Sequence, residues 1–128
     1  MRRPAGSRLS AARPVGSYPR MKVAWTTLAT AGEAEQLARE LVTAGLAVCV
    51  QIEGPLRSHY AWEGKVEAAE EYRLTLKCVD EHLPALEAAV LARHPYSVPE
   101  WIVVDASRVG EKYLSWARSE RHFRPFNT

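Results

Sequence analysis

The sequence has too little cysteine for a disulfide framework. Its 128 residues hold two, Cys49 and Cys78, whereas small secreted scaffolds need several bridges. The two are too far apart in sequence to form a zinc-ligand pair with one another. Both read as buried thiols in a reducing compartment, which points to the cytoplasm. No run approaches the ~20 apolar residues of a membrane span, so no membrane is expected as a partner. There is no glycine-rich phosphate loop and no GxSxG elbow. Without a phosphate cradle or a legible nucleophile, no enzyme is expected. The four histidines, His59, His82, His94 and His122, form no HxH or HxxxH pair. Spacing alone therefore defines no metal centre, and no motif requires a cofactor.

Basic charge is also scarcer than the total suggests. The formal net charge is +2. Five arginines (Arg2, Arg3, Arg8, Arg13 and Arg20) lie in residues 1–20, which contain no acid. Residues 21–128 are left with 12 basic and 15 acidic side chains, a formal −3. A mildly acidic body gives no electrostatic case for nucleic-acid binding. Residues 1–20 are dominated by Pro, Gly, Ser, Ala and Arg and lack apolar periodicity. Such a segment cannot offset its ordering entropy by burial. It is expected to be a disordered or artefactual extension, although its acid-free, Arg- and Ser-containing makeup loosely resembles a transit peptide. Residues 21–128 are expected to form one domain, with Met21 opening the first strand.

The body is regularly patterned. Residues 22–28 (KVAWTTL) are rich in strand formers. Over residues 33–44, Ala34, Leu37, Ala38, Leu41 and Val42 recur at helical spacing. Thr30 is the candidate N-cap and Gly45 the candidate C′ residue. Residues 46–52 (LAVCVQI) form an apolar run that Gly54-Pro55 interrupts, as a bulge or bend would. Residues 57–62 and 67–79 read as a long hairpin whose tip is Trp62-Glu63-Gly64-Lys65, Gly64 supplying a positive φ. Tyr72, Leu74, Leu76 and Cys78 alternate with polar positions, so one face of that strand packs. A second helix is expected over residues 81–93, with Leu83, Leu86, Val90 and Leu91 as its apolar stripe and His94-Pro95 ending it. Residues 100–105 (EWIVVD) read as a buried strand and residues 110–120 as a third helix.

The order β-α-β-β-α-β-α predicts an α+β fold. It is a ferredoxin-like βαββαβ sandwich with an extra C-terminal helix and a long hairpin between its second and third strands. Two helices cannot cover all its apolar surface. Trp25, Val48, Val50 and the hairpin imply a sheet face that meets another chain.

Three places stand out as candidate sites. His94-Pro95-Tyr96-Ser97-Val98-Pro99-Glu100 sets an imidazole, a phenol and a carboxylate in a loop stiffened by two prolines. It is either a polar presenting loop or a rigid connection whose side chains cap backbone atoms. Tyr60 and Trp62, two apart at the hairpin tip, share one strand face. They suit a ligand pocket, cross-strand packing or, best, a contact surface. Lys77 lies among apolar neighbours and needs a partner, either an anionic ligand or a carboxylate such as Glu100.

Four of these segments together resemble the CutA (divalent-cation tolerance) family. Tyr60-Ala61-Trp62-Glu63-Gly64-Lys65 is similar to its Y-x-W-x-G hairpin tip, and Leu46-Ala47-Val48-Cys49-Val50 to its second strand. The residues from His94 to Glu100 resemble its H-P-Y-x-x-P-E signature, and Tyr113-Leu114-Ser115-Trp116 its final Y-L-x-W. The resemblance implies a homotrimer similar to the PII signalling proteins. Its hairpins would cross to neighbouring subunits and its small-ligand clefts would lie between them. Tyr60, Trp62, Lys77, His94, Tyr96 and Glu100 would line such a cleft. It also implies a divalent metal such as Cu(II), held weakly through His94. Bacterial members with a proposed copper site carry a cysteine where this chain has Thr26. They carry paired histidines where it has Arg93-His94. Their T-A-P-D is replaced by Thr27-Leu28-Ala29-Thr30.

The expected function is a ligand-binding or sensor protein implicated in divalent-metal tolerance. The alternatives are a direct Cu(II)-binding protein using His94, or an enzyme using the same loop. An RRM shares the element order, but residues 71–79 (EYRLTLKCV) lack the exposed aromatics and the glycine of its RNP1 motif.

Overall fold

The computed structural model describes residues 21–120. The expected nature of residues 1–20 lies outside the described residues. Four strands and three helices follow one another: β1 (Met21–Leu28), α1 (Ala31–Thr43), β2 (Cys49–Trp62), β3 (Lys65–Val79), α2 (Leu83–Arg93), β4 (Ile102–Asp105) and α3 (Glu111–Ser119). A 3₁₀ turn, Asp80–His82, precedes α2. The sheet runs β2-β3-β1-β4 and every pair is antiparallel, the ferredoxin-like order expected from the sequence. No helix among the described residues is long and apolar enough to cross a membrane.

Local chemistry accounts for the ends of α1. The Thr30 hydroxyl accepts a hydrogen bond from the Glu33 amide at 3.1 Å, satisfying a donor that the first turn leaves unpaired. At the other end Gly45 takes φ 77°. The Gly45 amide donates to the Val42 carbonyl at 3.0 Å and the Leu46 amide to the Leu41 carbonyl at 3.1 Å, the paired bonds of a Schellman cap.

Ala24 and Leu28 of β1, Leu74, Leu76 and Cys78 of β3, and the inward stripes of α1 and α2 make one buried cluster. The stripe on α2 differs from the sequence expectation. Leu91 is exposed and Ala89 takes the inward position beside Leu86 and Val90. Ala89 and Leu86 stand three apart and Val90 follows at four, the spacing that meets the sheet, so Leu91 turns outward.

Of the described helices, only α3 packs over the opposite sheet face, and at one end. There α3 packs Ala117 against Met21 and Val79. The rest carries Val23 and Trp25 of β1, opposite Val104 and Ile102 of β4. Residues 100–105 are consequently not a buried strand. The strand is shorter, and Ile102 and Val104 are 53% and 42% exposed among the described residues, because none of the described elements lies over them.

The hairpin is one continuous pair, and the break expected at Gly54-Pro55 is a bulge within it. Trp62 faces Lys65 across a turn in which Glu63 and Gly64 have φ 50° and 79°. This is the primed geometry that suits strand twist. The register shifts between Glu53 and Leu56, so Cys49 faces Lys77 and not Cys78. The two thiols lie on opposite sheet faces and are free. Burial pushes the Cys78 thiol up to about 11. A Cβ placed on Gly54 would come within 2.3 Å of the Tyr72 ring, so the bulge requires glycine. Gly54→Ala should destabilise the protein by about 1–3 kcal/mol through this overpacking. Thermal unfolding followed by circular dichroism would read it as a lower Tm, and an unchanged Tm would show that the ring moves aside freely.

Candidate functional site

The bulge sets the direction of the hairpin side chains. Tyr60 faces Glu67, Ser58 faces Ala69 and Leu56 faces Glu71, so these side chains share one face of the sheet with Thr27 of β1. The segment between α2 and β4 passes over that face and closes an open cleft of about 1050 Å³. Its walls include Tyr60, Trp62 and Glu67 on the hairpin side and Tyr96, Pro99 and Glu100 on the loop side.

Three hydrogen bonds fix the loop. The helix ends at His94, whose backbone is extended at φ −74°, ψ 130°, as the following proline requires. The Tyr96 amide donates to His94 Nδ1 at 3.2 Å. That nitrogen is an acceptor, so the hydrogen sits on Nε2, which donates to the Thr27 carbonyl at 2.9 Å. The imidazole and the Tyr96 ring meet edge-on, 4.8 Å between centroids. The Tyr96 hydroxyl then donates to Glu71 Oε2 at 2.9 Å. Burial, reinforced by that carboxylate, pushes the phenol well above its ordinary pKa, so it stays a donor at any physiological pH. The end of β1, the loop and β3 are thereby tied into one wall.

The six candidate residues do not all meet. Tyr60, Trp62, Tyr96 and Glu100 line the cleft together. His94 stands behind Tyr96 as a brace. Lys77 lies elsewhere on the sheet, half-buried between Cys49 and Val23. Val23 is four residues along β1 from Thr27, about 13 Å at strand rise. The expected Lys77–Glu100 pair is accordingly absent from the ion pairs of the described residues. The sequence reading overlooked Glu67, Glu71, Ser58 and Thr27 as cleft residues. Counting back from the turn by twos would have found the first two.

The residues present do not fit a metal ion at His94. Both ring nitrogens are engaged, so coordination would break one of the bonds that hold the loop. Among the described residues no three His, Cys, Asp or Glu side chains converge on a common point. Thr26 offers no ligand, because it is 0% exposed and its hydroxyl is buried without a hydrogen-bond partner.

Comparison with known proteins gives consistent results. The family model described as CutA1 divalent ion tolerance protein matches residues 22–120. The divalent-cation tolerance protein CutA of Thermus thermophilus is 38% identical over 85 residues, which span 66% of this chain and 82% of that one. The solved CutA1 structure from Shewanella sp. SIB1 superposes with a TM-score of 0.76 at 34% identity, covering 80% of this chain and 95% of that one. CutA1 from Oryza sativa gives 0.75 at 34% identity, covering 80% and 93%.

The orphan hydroxyl of Thr26 generates a stability test. Replacing it by an isosteric methyl removes an unpaired polar group from the core. Thr26→Val should stabilise the protein by about 1 kcal/mol, read as a higher midpoint in urea unfolding, whereas a loss of stability would show that the hydroxyl has a partner.

Proposed function

The chain belongs to the CutA1 divalent ion tolerance family, and from that premise we propose that it acts as a homotrimeric ligand-binding or sensor protein. Its relatives are named for divalent-cation tolerance and not for a reaction. The observation that carries the assembly is the uncovered sheet face. Trp25, Ile102 and Val104 sit side by side on it by strand register, and two of them are roughly half exposed. An apolar strip of this kind on a sheet is costly in water and marks a contact with another chain. The hairpin adds a second contact element. It carries Tyr60, Trp62 and Val66, 44%, 43% and 82% exposed, along strands of 14 and 15 residues. Such an arm has little of its own chain to pack against and suits a neighbour's surface.

In this reading the cleft between hairpin and loop becomes an intersubunit pocket. Rigid walls support that role, because a site held by the His94–Tyr96–Glu71 bonds has little ordering cost on binding. The same bonds argue against copper through His94. A soft or imidazole-rich donor set is what Cu(II) selects, and here a lone, doubly bonded imidazole stands beside Arg93.

Two measurements follow. Light scattering at micromolar concentration should give three chain masses, and Ile102→Asp should shift the protein towards a single chain, because a carboxylate would be buried unpaired at the contact. A monomer mass for the unaltered protein would refute the assembly. Copper titration followed by calorimetry at neutral pH should show no stoichiometric sub-micromolar site. A site of that strength, abolished by His94→Ala, would establish the copper role instead.

A further inference from the structure

We propose that the cleft takes an organic cation carrying more than one ammonium group, with Tyr60 and Trp62 receiving its alkyl chain and its charge. This rests on the reading of the cleft as a binding site. Among the described residues the lining holds three carboxylates, Glu67, Glu71 and Glu100, and no lysine or arginine. His59 is its single histidine. An anion such as a nucleotide would meet like charge from β3 and from the loop, with no lysine or arginine in this chain's described lining to offset it. A cation meets favourable charge from both.

Charge alone does not separate a metal ion from an organic cation, but geometry does. A hard metal ion needs several oxygens at about 2.0–2.6 Å, and the described residues provide no such convergence. The carboxylates are instead spread along the cleft. Glu67 and Glu71 are four residues apart on β3, about 13 Å at strand rise, and Glu100 lies on the opposite wall. Spaced carboxylates match spaced ammonium groups. The aromatic pair points the same way independently. Tyr60 and Trp62 present two large ring surfaces on one strand face, and aromatic faces attract cations. Their apolar area also suits the methylene segments between charges. The Tyr96 hydroxyl donates to Glu71 Oε2 at 2.9 Å, which orients that carboxylate at the cleft wall.

The test uses the full chain with spermidine as the probe, in calorimetry, with ATP and Mg²⁺ as comparison ligands. Saturable binding of one spermidine per chain is expected, retained in excess Mg²⁺, with no heat from ATP. Trp62→Ala and Glu100→Gln should each weaken it about fivefold or more, while Trp62→Phe, which keeps a ring, should retain most of it. Circular dichroism on each variant identifies any that fail to fold, and Glu67→Gln at the exposed hairpin serves as a second carboxylate probe. No saturable spermidine binding, displacement by equimolar Mg²⁺, or ATP binding would each overturn the proposal. Light scattering on the same samples separates it from the assembly. A trimer that ignores spermidine overturns the cation proposal alone, and a monomer that binds it supports the cation and refutes the trimer.

Discussion

The bulge between Glu53 and Leu56 decides which way the hairpin's aromatic side chains face, and the cleft depends on it. Before the bulge Val50 and Ile52 point into the helix-covered core, opposite Leu76 and Leu74. Side chains in a strand alternate with a period of two, so an unbulged strand would carry Tyr60 and Trp62 on that same face. One extra residue reverses the alternation. Tyr60 and Trp62 then join Glu67 and Glu71 on the other face, beneath the loop that holds Tyr96 and Glu100. Gly54 is what permits this, since its bare Cα lies against the Tyr72 ring.

The loop between α2 and β4 is held by a short chain of hydrogen bonds rather than by burial alone. His94 bonds backward to the end of β1 and forward to its own loop, and Tyr96 extends the connection to β3. The imidazole thus spends both nitrogens on position. A residue type usually suspected of metal or acid–base work is here a structural brace, and the groups it positions are Tyr96 and, through it, Glu71. Precision at the cleft is achieved by elements far apart in sequence, which gives a rigid wall without a large core behind it.

The uncovered half of the sheet is the other consequence of the architecture. Two helices and a short third one cannot cover four strands and an extended hairpin. The apolar residues left over gather on one face, with Ile102 and Val104 at its edge. Membership in the CutA1 family and a shared surface between copies are consistent with that surplus. Folding and assembly would then satisfy the same hydrophobic surface, so that neither is independent of the other.

Local sequence chemistry determined most of the fold. The Thr30 cap, Gly45 with its positive φ, the Glu63-Gly64 turn and the proline after His94 each act through neighbouring backbone atoms, so they were legible in a single chain. The alternation along β3 was legible for the same reason. Side-chain partners across the sheet were not. Nothing near Lys77 in sequence shows that Glu100 lies at the far end of β1, and nothing near Leu91 shows that Ala89 turns inward. Composition made residues 100–105 look buried, but whether a strand is covered depends on what packs over it. The sequence determined the elements, their order and the place where the hairpin strand breaks its register. The tertiary structure decided which side chains meet, because register and coverage arise between segments distant along the chain.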